Sequence, residues 1–113
     1  MTSPITTHVL DTALGRPAEG VTVTLQGLNQ GTWHDLGSQV TNADGRCTRL
    51  LATGTLTEGV YRIGFATGEY FEGQGVPSFY PEVSITFRVE ATTEHYHVPL
   101  LVSPFGYSTY RGS

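Results

Sequence analysis

A chain of 113 residues with 38% hydrophobic and 14% charged side chains suits a single domain over residues 1–113, long enough to bury a core without disulfides or a structural metal. The net charge of -4, with six basic residues scattered singly, excludes nucleic acid as a partner, because phosphate binding needs clustered Lys and Arg. Abundant Thr, Ser and Gly favour a β-rich globular protein over a disordered or coiled-coil one.

The chain starts Met1-Thr2-Ser3-Pro4-Ile5, with neither a basic leader nor an apolar run, and no later stretch approaches the ~20 apolar residues of a membrane-spanning helix. The expectation is a cytoplasmic protein with no membrane partner. Alternation with a period of two then recurs from end to end, which predicts an all-β chain. Eight strands are expected near 5 to 11, 20 to 27, 33 to 41, 46 to 52, 59 to 67, 82 to 91, 94 to 102 and 105 to 111, a number that fits a sandwich. Between them Gly15-Arg16-Pro17, Gly27-Leu28-Asn29-Gln30-Gly31, Asn42-Ala43-Asp44-Gly45 and Ser103-Pro104 carry the residues that reversals require. The segment from Thr67 to Gly75 reads as a short helix, with Thr67 as N-cap, Glu69 and Glu72 in its first turns and Gly75 as its stop. Cys47, the only cysteine, cannot form an intrachain disulfide and reads as a small buried hydrophobe.

Residues two apart on a strand share a face, and this parity sorts the chemically active side chains. His8 and Leu10 take one face of the first strand, opposite Thr7 and Val9. In the seventh, Val98, Leu100 and Val102 form a plausible core face, which leaves His95, His97, Pro99 and Leu101 on the outside. In the last strand, Ser108 and Tyr110 face away from Tyr107 and Thr109. An outer face mixing Leu, Pro, Tyr and His is too apolar for a solvated sheet, so it predicts contact with another subunit or a ligand. A symmetric homo-oligomer is the simplest way to cover it.

Histidine titrates near neutrality, so two on neighbouring strands can act as general base and acid. His34, beside Asp35, reads as structural, and His95 at a strand start is left as a structural residue too. A zinc site from His8, His95 and His97 is the alternative, but no Asp, Glu or Cys obviously completes the set. The prediction is therefore no metal and no cofactor. Arg46 follows the Asp44-Gly45 turn, where its guanidinium can lean over the sheet. The last nineteen residues keep two histidines, three tyrosines and an arginine up to the final positions, which predicts a tail that is docked and used.

Taken together, Thr7-His8-Val9-Leu10-Asp11-Thr12, Asp44-Gly45-Arg46, Phe79-Tyr80-Pro81-Glu82-Val83 and the ending Tyr107-Ser108-Thr109-Tyr110-Arg111-Gly112-Ser113 resemble the transthyretin-like 5-hydroxyisourate hydrolases over essentially the whole chain. The terminal Tyr110-Arg111-Gly112-Ser113 is the most specific part, since it looks like the tetrapeptide that separates these enzymes from the hormone-carrying transthyretins. The resemblance implies an eight-stranded prealbumin-type sandwich with one short helix, assembled as a homotetramer with active sites at the dimer-dimer interface. It implies His8, Arg46 and His97 as catalytic residues, with Ser108, Tyr110, Arg111 and Ser113 shaping the substrate pocket.

The implied reaction is hydrolysis of the N1–C6 bond of 5-hydroxyisourate to 2-oxo-4-hydroxy-4-carboxy-5-ureidoimidazoline in urate degradation. Attack of water on a conjugated carbonyl needs a base, donors for the oxyanion and an acid for the departing nitrogen. One of His8 and His97 is expected to take the water proton, with His97 preferred and the assignment open. Arg46 would hold the electron-rich edge of the substrate and disfavour a protonated histidine beside it. Arg111 and the Ser113 carboxylate would lock the tail. The rival readings are a transthyretin-like carrier of a small aromatic ligand and a monomeric sandwich module used for adhesion.

Overall fold

A computed structural model describes residues 3–113. In chain order the elements are β1 (Ile5–Asp11), β2 (Arg16–Pro17), β3 (Thr22–Asn29), β4 (Thr32–Val40), β5 (Arg46–Cys47), β6 (Gly59–Phe65), α1 (Thr67–Glu72), β7 (Val83–Val89), β8 (Tyr96–His97), β9 (Leu100–Ser103) and β10 (Gly106–Thr109). They form two sheets, one of four strands in the order β4-β3-β6-β7 and one of six strands arranged about β1. The expected all-β sandwich with one short helix is what the chain forms.

Alternation builds the core, because every second side chain of a strand points inward. Ile5, Val9, Cys47, Leu100 and Val102 from one sheet meet Val23, Leu25, Ile63, Phe65 and Val83 from the other in a single buried cluster. The face of β8 and β9 carrying Val98, Leu100 and Val102 is buried as parity predicts, and Leu101 on the other side is only partly covered. Asp11, 1% exposed, ties the helix to the sheet. Its Oδ1 accepts from the amides of Ala13 and Leu14, and its Oδ2 accepts from the Tyr70 hydroxyl at 2.8 Å.

Local departures from the expected elements have identifiable causes. The strand expected over 94 to 102 is two pieces, β8 and β9, because Pro99 has no N–H to give to a ladder. Both pieces nonetheless keep one register on β1, with Thr6 opposite His97 and Leu10 opposite Leu101. The strand expected over 46 to 52 stops at Cys47. Beyond it, the amides of Arg49 and Leu51 are taken by Gln39 Oε1 and Ser3 Oγ instead of by a neighbouring strand. Arg16 and Pro17, read as part of a turn, pair with Asp11 and Leu10 as the short β2. The helix begins one residue earlier than expected, with Ala66 and not Thr67 as its N-cap and no side-chain cap bond. The Pro81 carbonyl accepts the Gly68 amide at 3.0 Å, so one of the free donors of the first turn is satisfied from outside the helix. Among the described residues no helix is long and apolar enough to cross a membrane.

Candidate active site

Strand β1 is the axis of the site, since it carries β8 and β9 as parallel neighbours and β2 and β5 as antiparallel ones. His8 lies opposite Arg46 of β5, and Thr6 lies opposite His97 of β8. Residues directly opposite one another across a ladder share a face, so Thr6, His8, Arg46 and His97 all stand on the outer side of the six-stranded sheet. Three remote stretches of chain thereby bring together the two histidines and the arginine singled out in the sequence. Leu10, Leu101 and Ser108 continue the same face through the pairings of β1 with β9 and β9 with β10.

The turn before β5 sets the position of Arg46. Asn42 Oδ1 accepts from the amides of both Asp44 and Arg46, at 2.9 and 3.0 Å, and the Gly45 amide returns to the Asn42 carbonyl. Gly45 adopts φ +74°, and a Cβ there would fall 2.4 Å from the Val9 carbonyl oxygen. Only glycine meets both demands. The turn therefore packs directly on β1 and delivers the Arg46 guanidinium beside His8.

His97 is held from two sides. Its Nδ1 lies 2.8 Å from Thr6 Oγ1, and the same hydroxyl lies 2.9 Å from Nε2 of His95. On the other side the Gly112 amide donates to the His97 carbonyl at 2.8 Å. Partial burial, then the positive charge of Arg46, hold His97 below its usual 6.5, and His95 and His8 push in the same sense against the Thr6 backbone. Burial and then Arg46 also lower His8, opposed by Asp44. A neutral imidazole pair beside a permanently charged guanidinium combines proton acceptors with a donor fork for an oxyanion or a planar amide edge.

The tail is docked, as expected, by Arg111 as well as Gly112. The Arg111 guanidinium pairs with Glu94 at 3.0 Å and sits over the Tyr96 ring, 4.5 Å from its centroid. Ser108 and Tyr110 are exposed on the open side of the sheet, and Ser113 is exposed beyond them. His34 is on β4, in the other sheet. Cys47 is fully buried, and burial pushes its thiol up to about 11, which leaves it a packed hydrophobe. Among the described residues no group of three His, Cys, Asp or Glu side chains is disposed to hold a metal ion. Thr6 is left out of the site read from the sequence, and His95 has no part in the reaction there, although parity places His95 on the outer face with His97. Thr6 shares the parity of His8 and His95 that of His97, and this was the available signal.

A profile of the HIUase/Transthyretin family matches residues 5–112. The chain belongs to this family. Among its members, the 5-hydroxyisourate hydrolase of Mus musculus is 46% identical over 113 residues, covering 98% of this chain and 96% of that one. The solved structure of Klebsiella pneumoniae 5-hydroxyisourate hydrolase superposes with a TM-score of 0.84 at 39% identity, covering 96% of this chain and 98% of that one. Sea bream transthyretin, solved in complex with thyroxine, superposes at 0.92 with 30% identity, covering 97% of this chain and 95% of that one. Backbone likeness thus spans both a hydrolase and a thyroxine-bound transthyretin, so side chains must separate the two.

Proposed function

We propose that this chain is a 5-hydroxyisourate hydrolase, opening the N1–C6 bond to give 2-oxo-4-hydroxy-4-carboxy-5-ureidoimidazoline in urate degradation. The observation that carries the reading is the convergence of His8, Arg46 and His97 on one face of β1. Two imidazoles and a guanidinium are the groups that water attack on a cyclic amide requires, whereas a carrier has no need of them. The 46% identity to the mouse hydrolase, against 30% to the sea bream transthyretin, supports the same side.

In this reading His97 is the general base, since Thr6 anchors its Nδ1 and leaves Nε2 to take the proton of the attacking water. The oxygen adds to C6, and the Arg46 fork receives the negative charge that develops on the carbonyl oxygen. As the N1–C6 bond breaks, the proton that His97 took from the water is passed by way of His8 to N1, and the former C6 becomes a carboxylic acid that ionises to the carboxylate. Ser108 and Tyr110 line the substrate's rim, while Arg111, Gly112 and Ser113 hold the tail against His97.

The assembly belongs to the same proposal. The site lies on an open sheet face where Leu10 pairs with Leu101, and Tyr110 is 59% exposed, so a homotetramer with sites at the dimer-dimer interface would close it. Phe79 and Phe105, 69% and 70% exposed, are a further apolar surface for a second copy to cover. A urate-oxidase-coupled absorbance assay tests the activity: freshly made 5-hydroxyisourate should disappear faster than it decays alone. Sedimentation velocity tests the assembly. No acceleration over spontaneous decay would return the chain to the carrier reading.

A further inference from the structure

The Thr6 hydroxyl stands between two imidazoles, 2.8 Å from Nδ1 of His97 and 2.9 Å from Nε2 of His95. Thr6 is only 5% exposed although it belongs to the outer face of the sheet. A hydroxyl has one proton to give, and a neutral imidazole has one donor and one acceptor nitrogen. With both bonds made and the hydroxyl proton in one of them, two arrangements remain. In the first, His97 Nδ1–H donates to Thr6, and Thr6 donates to Nε2 of His95. In the second both donations are reversed. The first leaves Nε2 of His97 with a free lone pair, and the second puts a proton there and abolishes it as a base.

Resting on the hydrolase reading above, we propose that Thr6 is a positioning residue that fixes His97 in the tautomer with protonated Nδ1 and bare Nε2, and that His95 completes the chain by accepting the Thr6 proton. His95 is exposed, so solvent can take the Nδ1–H that His95 must carry when its Nε2 accepts from Thr6. The reverse arrangement would make Thr6 a donor to His97 and the histidine useless to an attacking water. The other polar groups around the pair are His8 on β1, Arg46 on β5, Glu94 before β8 and Arg111 on the tail, with Asp44 acting on His8. Of the described groups, Thr6 alone is hydrogen-bonded to the His97 ring.

The test is long-range proton–nitrogen correlation spectroscopy on histidine-labelled protein, joined to steady-state kinetics. In the wild type His97 should show a protonated Nδ1 and an unprotonated Nε2. Thr6→Val, which keeps the shape and removes the hydroxyl, should give a mixture of tautomers and lower kcat by about tenfold or more with little change in KM. Thr6→Ser should restore both. His95 is exposed, so His95→Phe should leave the fold intact, which circular dichroism checks. It removes the acceptor, so the Thr6 proton turns to His97, the ring shifts to the Nε2–H form, and kcat falls as in Thr6→Val. His95→Gln, which still offers a carbonyl oxygen, should stay near wild type. A wild-type His97 carrying its proton on Nε2, or undiminished kcat in His95→Phe, overturns the proposal. If the wild type fails to consume 5-hydroxyisourate, the hydrolase reading fails, while the spectra still decide the tautomer.

Discussion

Gly112 lies flat against the ring of His97: a Cβ built on it would stand 2.5 Å from Cδ2 and 3.3 Å from Cγ, with Pro99 Cγ also at 3.3 Å. The contact is made while the Gly112 amide donates to the His97 carbonyl, so the tail cannot simply slide away. Carbon atoms do not pack at such a distance, and either the imidazole or the tail must move. With His97 as the proposed base, Gly112→Ala is expected to lower kcat about tenfold or more, because ångström-scale displacement of a base is costly in catalysis. The thermal midpoint should change little, since the tail lies outside the buried cluster. The coupled absorbance assay and differential scanning calorimetry read the two effects separately.

His97→Ala and His8→Ala should each reduce kcat by about a hundredfold or more, the usual range for losing a proton-transfer group. Both side chains are only half-buried on the outer face, so circular dichroism and sedimentation should report an intact fold and the same state of association as the wild type. A purified His97→Ala protein with wild-type turnover would remove that residue from the mechanism.

Much of this site was legible because strand parity is a strict rule. Val98, Leu100 and Val102 pointing inward forces His97 and Leu101 outward, and the same count places His8 opposite Thr7 and Val9. The register that brings Thr6 beside His97 is another matter, since it depends on how β8 and β9 pair with β1 across a separation of about ninety residues. For that reason Thr6 and the role of His95 emerged only in three dimensions. Thr67 failed as a cap for a similar reason, because the partner of the helix start is the distant Pro81 carbonyl. The shortening of the strand after Cys47 also has a non-local cause, namely the side chains of Gln39 and Ser3 competing for its backbone donors.

The tail clamp should matter more to activity than to folding. Arg111 and Glu94 form an ion pair whose side chains are both more than half exposed, at 56% and 54%, and such pairs contribute at most about 1 kcal/mol. Removing residues 111 to 113 should leave the thermal midpoint within a few degrees of the full chain. It should abolish most of the hydrolysis, because the hydrogen bond to the His97 carbonyl and the packing on its ring are lost together. A truncated chain that melts early with normal activity per folded molecule would make the tail purely structural.

The proposed site gives Arg46 two duties that pH can separate. Burial first and the Arg46 charge second keep His8 and His97 below the usual 6.5, so both are neutral at pH 7 and the acid limb of kcat/KM lies below 6.5. Arg46→Ala removes the charge and the donor fork, so kcat/KM should drop by about a hundredfold or more and the acid limb should move up toward 6.5. Arg46→Lys keeps a positive charge without the planar fork. It should lose most of the activity but leave the limb close to its wild-type position. The same shifts act on stability: with folded values below unfolded ones, the unfolded chain binds protons first, and stability falls as pH drops from 6.5 through the lowered values. Arg46→Ala narrows that window, so its thermal midpoint should decline less on acidification than the wild type does. Identical acid limbs in wild type and Arg46→Ala would show that burial alone sets the two histidines.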